Sequence, residues 1–203
     1  MTASRPDACA FDVASAAWGA RHLEILKRRE LPDGYGPMKE TPQEYIQRIV
    51  SYLGGRDPLD IQERTPKELE RLITGAAASR LHQRPAPGKW SSAEILAHLA
   101  DTEIVVSWRI RAILGAPGIS YPAMDQDAWV IAGHYDKRGP RKSIELFRAL
   151  REANVALFKT LTPEQWKHHG IHAERGAESV EHIVRLYAGH DLNHTRQIEQ
   201  ILS

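Results

Sequence analysis

Ten of the 203 residues are histidine, the side chain best suited to bind a transition metal or move a proton near neutral pH. Two pairs stand four residues apart, His168/His172 and His190/His194. On a helix that spacing puts both rings on one face, but with so many histidines a lone pair identifies no site. Context separates the two. His168, His169 and His172 surround Gly170 just before Glu174-Arg175-Gly176, a polar stretch that reads as a loop with solvated histidines. His190 and His194 instead interrupt the stripe Val180, Ile183, Tyr187, His190, His194, Ile198, Ile201, whose steps of three or four residues mark the inward face of a helix. A second stripe, Ile95, His98, Thr102, Val105 or Val106, Ile113, carries one histidine. Three imidazoles buried without a common partner leave several polar groups unpaired. One divalent cation satisfies all three.

The elements that must position these rings are helices. Thr41-Pro42-Gln43-Glu44, Thr65-Pro66-Lys67-Glu68, Ser91-Ser92-Ala93-Glu94 and Thr162-Pro163-Glu164-Gln165 each read as a capping box, three of them with proline at the first helical position. The pattern predicts helices over about 42–53, 66–82, 92–114, 126–134, 142–160 and 179–202, with another over 12–29. Gly54-Gly55, Pro85-Ala86-Pro87-Gly88, Ala116-Pro117-Gly118 and Gly139-Pro140 punctuate them. No segment alternates with period two, so no strands are expected. The fold class is all-α: a four-helix bundle built from 66–82, 91–114, 142–160 and 179–202. The long connection 115–141 carries its own short helix. Residues 1–37 lack a continuous apolar stripe and end in the linker-like Leu31-Pro32-Asp33-Gly34-Tyr35-Gly36-Pro37, which makes them a peripheral extension to a bundle domain over 38–203.

Composition removes several function classes. The net charge is +1, too small a field to hold nucleic acid or an anionic membrane. The five tryptophans read as core and edge packing rather than a stacking platform for bases. One cysteine, Cys9, excludes an internal disulfide framework and a cysteine-based zinc finger. No run of 18 apolar residues exists to cross a membrane. The apolar stretch at 8–20 is broken by Asp12 and preceded only by Arg5, so it does not read as a signal peptide. The expectation is a cytoplasmic protein without nucleic-acid or membrane partners, acting on a small molecule. Its oligomeric state is open, a homodimer included.

The local pattern is similar to a known family. Lys89-Trp90-Ser91 leading into Glu94-Ile95-Leu96-Ala97-His98-Leu99-Ala100-Asp101-Thr102-Glu103 resembles the second helix of the DinB-like (YfiT-like) metalloenzymes. Ala188-Gly189-His190-Asp191-Leu192-Asn193-His194-Thr195-Arg196-Gln197-Ile198 looks like their last helix, and Asp125-Gln126-Asp127-Ala128-Trp129 is similar to a recurrent element there. The resemblance covers roughly 41–203. It implies a four-helix bundle that binds one divalent metal through His98, His190 and His194.

Around these ligands, Thr102 and Tyr187 lie one turn away on the same stripes and are pocket candidates. Asp127 and Trp129 are candidates for a lid over the metal mouth, the plainer reading being an aspartate N-cap at Asp125 and a packed tryptophan. Asp191 neighbours a ligand and is a candidate to orient an imidazole, although one position round the helix is 100° away. Arg109 and Arg111 read as helix-surface charges. Three neutral ligands leave a cation's charge uncompensated, so the open position prefers an anion such as hydroxide, thiolate or a substrate carboxylate. Two chemistries follow. In one, the metal activates the thiol of a low-molecular-weight cosubstrate for S-transfer, an activity the resemblance also implies. In the other, metal-activated water hydrolyses an ester or amide; unlike H-E-x-x-H, the sequence offers no obvious carboxylate base beside the histidines. A non-catalytic metal- or ligand-binding stress protein is the third reading. Zinc or nickel suits the ligand set best, with iron or copper as alternatives.

Overall fold

The structure, a computed structural model, describes residues 40–203. The expectations for 1–37, including Cys9 and the helix at 12–29, lie outside the described residues. The elements run α1 (Pro42–Ser51), α2 (Pro58–Ile73), α3 (Ala78–His82), α4 (Ser92–Gly115), β1 (Ser120–Tyr121), α5 (Gln126–Ala132), a 3-10 turn (Tyr135–Lys137), α6 (Pro140–Phe158), α7 (Pro163–Lys167), β2 (His169–His172), β3 (Gly176–Ser179) and α8 (Val180–Leu202). Helices α2, α4, α6 and α8 form the bundle. Around it α2 packs on α6, α6 on α4, α4 on α8, and α8 on α2, while α1 lies against α8.

Three of the four expected capping boxes form. At α1 the Glu44 N–H donates to Thr41 Oγ1 (3.2 Å) and the Thr41 N–H donates to Glu44 Oε2 (2.7 Å). Ser91 with Glu94 caps α4 in the same way, and Thr162 with Gln165 caps α7. Thr65-Pro66 caps nothing. The second helix starts eight residues earlier, at Pro58, where Asp57 Oδ1 accepts from the Leu59 N–H at 2.7 Å. It ends at Ile73 rather than 82. Pro66 therefore sits inside α2 and cannot donate to the carbonyl four residues back, that of Gln62. Arg151 of α6 supplies the missing donor: its Nη1 reaches the Gln62 carbonyl at 3.3 Å. Thr65, instead of capping, donates its hydroxyl to the Ile61 carbonyl at 2.8 Å.

The structure also corrects the expectation of no strands. A three-stranded sheet, in the order β1-β2-β3, closes one end of the bundle. β1 runs parallel to β2, with Tyr121 opposite His172, and β2 runs antiparallel to β3, with His172 opposite Gly176. Gly176, at φ +78°, takes the left-handed conformation that closes the hairpin. His172 is thus not a solvated loop residue. It is 2% exposed, and its Nδ1 accepts the N–H groups of Glu174 (3.1 Å) and Arg175 (3.3 Å). His169, on the same strand, is exposed as expected.

The apolar core divides into two main layers. One gathers Leu69, Leu96, Leu99, Phe147 and Ile198; the other gathers Val106, Ile110, Ile113, Phe158, Val180 and Ile183. Between them, at the middle of all four long helices, lies a polar level. Its side toward α2 and α6 is ionic. Arg151, 2% exposed, donates Nε and Nη2 to the two oxygens of Glu103 (3.0 and 2.8 Å) and also pairs with both oxygens of Asp191. Asn154 Nδ2 bridges Glu103 Oε1 and Ser107 Oγ, at 2.7 Å each. Its side between α4 and α8 carries histidines. Of the tryptophans, Trp166 packs on Phe158, but Trp108 and Trp129 are exposed. Among the described residues no helix is long and apolar enough to cross a membrane.

Candidate metal centre

α4 and α8 bring His98, His190 and His194 together. Nε2 of His190 lies 3.1 Å from Nε2 of His98 and 3.1 Å from Nε2 of His194. One nitrogen from each ring falls within 4.8 Å of the other two. All three rings are buried, 2%, 7% and 7% exposed. Burial, then the neighbouring rings, holds the pKa of His98 and His190 well below the ordinary value, and burial brings His194 down to about 4. At neutral pH the imidazoles are therefore neutral and carry lone pairs.

Gln197 is the partner of His194 Nδ1, its Oε1 lying 2.8 Å away. With that oxygen accepting from a protonated Nδ1, the arrangement usual for a metal-bound histidine, the Nε2 lone pair faces the centre. Both short approaches meet at His190 Nε2, which in a neutral ring either donates one proton or accepts one and so cannot pair fully with both neighbours. The donor set thus fits one divalent cation, with each ring offering a nitrogen. Nδ1 of His98 and of His190 has no hydrogen-bond partner among the described residues.

Aromatic rings wall the trio. Trp90, just before the α4 cap, stands 5.0 Å from the His98 ring and stacks at 6.5 Å and 13° on His194. Tyr187 meets His190 edge-on at 5.7 Å. Thr102 Oγ1 lies 3.5 Å from His98 Nε2. Thr102 and Tyr187 thus lie against two of the three rings.

Asp191 does not orient an imidazole. The 100° step turns it away from the trio and onto Arg151, which takes both its oxygens. Asp127 and Trp129 make no hydrogen bond or ring contact with the trio. Burial, then Asp125, raises the Asp127 carboxyl above its usual range, while Asp125 caps α5 by accepting the Ala128 N–H at 3.0 Å. The connection is pinned to α4 and to Trp90: Val130 and Tyr135 pack with Ala97 and Trp90, and Asp101 accepts from Tyr135 Oη (2.9 Å) and Arg138 (2.7 Å). Arg109 is not a surface charge. It is 2% exposed and donates to Tyr187 Oη and to the Pro122 carbonyl. Arg111 is exposed, as expected, and donates to Asn154 Oδ1.

Sequence reasoning missed the roles of Trp90, Gln197 and Arg109. Gln197 and Arg109 had the signal of helical spacing, three residues after His194 and three after Val106 on stripes already drawn. A cleft of about 350 Å³ among Arg56, Asp60, Ile61, Thr65, Leu192 and Thr195 includes none of the trio.

The profile of the DinB superfamily matches residues 62–198. The chain belongs to the DinB superfamily. It is 30% identical over 117 residues to the Oceanobacillus iheyensis protein named "Putative metal-dependent hydrolase OB0413", an alignment covering 57% of this chain and 66% of that one. It is 24% identical over 144 residues, 70% of this chain and 81% of the other, to YfiT of Bacillus subtilis, which carries the same description. The solved structure of YfiT, described as a probable metal-dependent hydrolase with an unusual four-helix bundle topology, superposes with a TM-score of 0.66 at 22% identity, over 82% of this chain and 91% of that one. The bundle is thus of the DinB and YfiT type.

Proposed function

We propose that this DinB-superfamily protein is a metal-dependent enzyme acting on small molecules. In this reading His98, His190 and His194 hold one divalent cation, zinc or nickel before iron or copper, and the open position takes the thiol of a low-molecular-weight cosubstrate for S-transfer. The observation that carries the reading is the convergence of three buried, neutral imidazoles with no carboxylate joined to them. A divalent cation held there supplies Lewis acidity, drawing a coordinated thiol below its usual pKa near 8.5 or a coordinated water toward 7.

The chain's own residues do the rest. Gln197 holds the His194 ring in the tautomer that keeps Nε2 free. Trp90 and Tyr187 cover the rings from two sides. Thr102 offers a hydroxyl beside His98. Among the described residues no carboxylate hydrogen-bonds to these groups: Glu103 and Asp191 are held by Arg151, and Asp101 by Tyr135 and Arg138. A nucleophile whose proton is lost on coordination needs no such base.

Hydrolysis is the second reading, favoured by the names of the relatives. Cobalt-substituted protein titrated with low-molecular-weight thiols separates the two. The first reading expects a sulfur-to-metal charge-transfer band that disappears in His190→Ala. No band with any cellular thiol, together with metal-dependent ester or amide hydrolysis in its absence, supports the second.

A further inference from the structure

Two arginines are fully buried among the described residues, and their surroundings differ. Arg151 is matched by the carboxylates of Glu103 and Asp191. Arg109 has no carboxylate. Its Nη1 donates to Tyr187 Oη at 3.3 Å, its Nη2 donates to the Pro122 carbonyl at 2.8 Å, and its Nε is buried without a partner. Its guanidinium lies 4.9 Å over the Tyr121 ring. The neighbouring Glu178, at the far end of that ring, is already bound by Tyr121 Oη (3.0 Å) and by Arg175 (2.7 and 3.0 Å). A buried guanidinium held only by neutral acceptors is costly for a folded chain. Such a charge is retained where something else supplies the anion.

Its position says what that is. Arg109 follows His98 and Thr102 on the inward stripe of α4, and Tyr187 precedes His190 by three residues on α8. The Tyr187 ring therefore spans the gap, its edge against His190 and its hydroxyl under Arg109. The hydroxyl oxygen accepts from Arg109, which leaves its own proton to donate. Together with the unpartnered Arg109 Nε–H this sets neighbouring donors one tyrosine length from the histidines, the donor chemistry that a carboxylate takes.

We propose that Arg109 and Tyr187 bind a carboxylate of the substrate or cosubstrate whose other end meets the metal. The substrate class is a small molecule with a metal-seeking group at one end and a carboxylate at the other. The inference rests on the metal reading above and is independent of whether the metal-seeking group is a thiol.

Calorimetry on the full-length, cobalt-loaded protein tests it in two arms. One compares 3-mercaptopropionate with its methyl ester; the other, free of thiol, compares glutarate with its monomethyl ester. The acid binds more tightly than the ester in both arms, by about tenfold or more, as expected for hydrogen bonds to a charged group. The preference disappears in Arg109→Met and shrinks in Tyr187→Phe, which keeps the ring. A charge-transfer band absent from the thiol arm, with the glutarate preference intact, counts against the thiol reading alone. Arg109→Met also separates a binding role from a structural one. Without ligand its Tm is equal to or above that of the parent, because an uncompensated buried charge is gone. Equal affinities for acid and ester, a preference that survives Arg109→Met, or a Tm lowered by more than about 5 °C in that variant overturns the proposal.

Discussion

The three histidines behave as one unit because their closest polar contacts across the centre are with one another. His98 and His190 have unpaired Nδ1 atoms, and only His194 is tied from behind, by Gln197. Single His→Ala substitutions are accordingly expected to abolish stoichiometric metal binding, as measured by metal analysis after dialysis. Gln197→Ala leaves all three ligands in place but frees the His194 ring to turn and to change tautomer. Its metal affinity should fall by about 10- to 100-fold, and an unchanged affinity would show that packing against Trp90 orients the ring instead. A second residue-scale expectation concerns Arg151. Arg151→Met leaves Glu103 and Asp191 facing each other in the core and the Gln62 carbonyl without its donor, so it should cost about 3–5 kcal/mol in denaturant unfolding. The double replacement of Glu103 and Asp191 by Gln and Asn in the Arg151→Met background should recover part of that loss. The trio itself was legible in the sequence, because a histidine on an apolar helical stripe breaks a pattern. The ionic network was not, because charged residues off the stripe look the same whether they face water or one another across 40 or more residues of chain.

At the scale of elements, helix ends were legible where one cap motif stood alone and illegible where two competed. Asp57-Pro58 and Thr65-Pro66 are equally good starts, and the apolar spacing Ile61, Leu69, Ile73 runs through the second; only Arg151, distant in sequence, makes an internal proline tolerable. The strands escaped notice because they are four residues or fewer, too short for alternation to register, and β1 finds its partner 51 positions away. The sheet yields a pH prediction. Burial, then Arg175, brings the His172 ring down to about 4, against about 6.5 in an unfolded chain. The unfolded state therefore binds a proton that the native state refuses between those values. His172 costs nothing above pH 6.5, and stability declines as pH falls from 6.5 toward 4, by at most about 3 kcal/mol. His172→Asn, whose Oδ1 can accept the same N–H groups, should flatten this part of the unfolding profile, and parallel profiles for the two proteins would dismiss the assignment. Gly189 supplies another test. A Cβ there would lie 2.2 Å from the Ile49 carbonyl oxygen, so α1 approaches α8 closely one residue from a ligand. Gly189→Ala should destabilise by roughly 1–3 kcal/mol through that overlap and weaken metal binding by shifting His190.

At the scale of the molecule, the centre joins two helices, α4 and α8, that are contiguous in space but 92 residues apart at His98 and His190. A cation bound by both therefore cross-links the native state and has no equivalent in the unfolded chain. With free metal at about a thousandfold over its Kd, the linkage contributes about 4 kcal/mol, which for a domain of this size raises Tm by roughly 8–16 °C. Among the described residues, the ligands and the side chains in hydrogen-bond or ring contact with them lie between Trp90 and Gln197, within the segment 62–198 that matches the family profile. A chain beginning at Met38 keeps Glu40, whose ion pair with Arg48 (2.8 Å) anchors the start of α1. It should show the same rise in Tm on adding metal as the full chain, with both midpoints within about 10 °C of the parent's. Scanning calorimetry of the two chains, each with metal and with chelator, makes the comparison. A shorter chain that unfolds much earlier but keeps the metal-induced rise would mean that residues 1–37 pack on the bundle away from the centre. Loss of the rise itself would mean that they help to build the site.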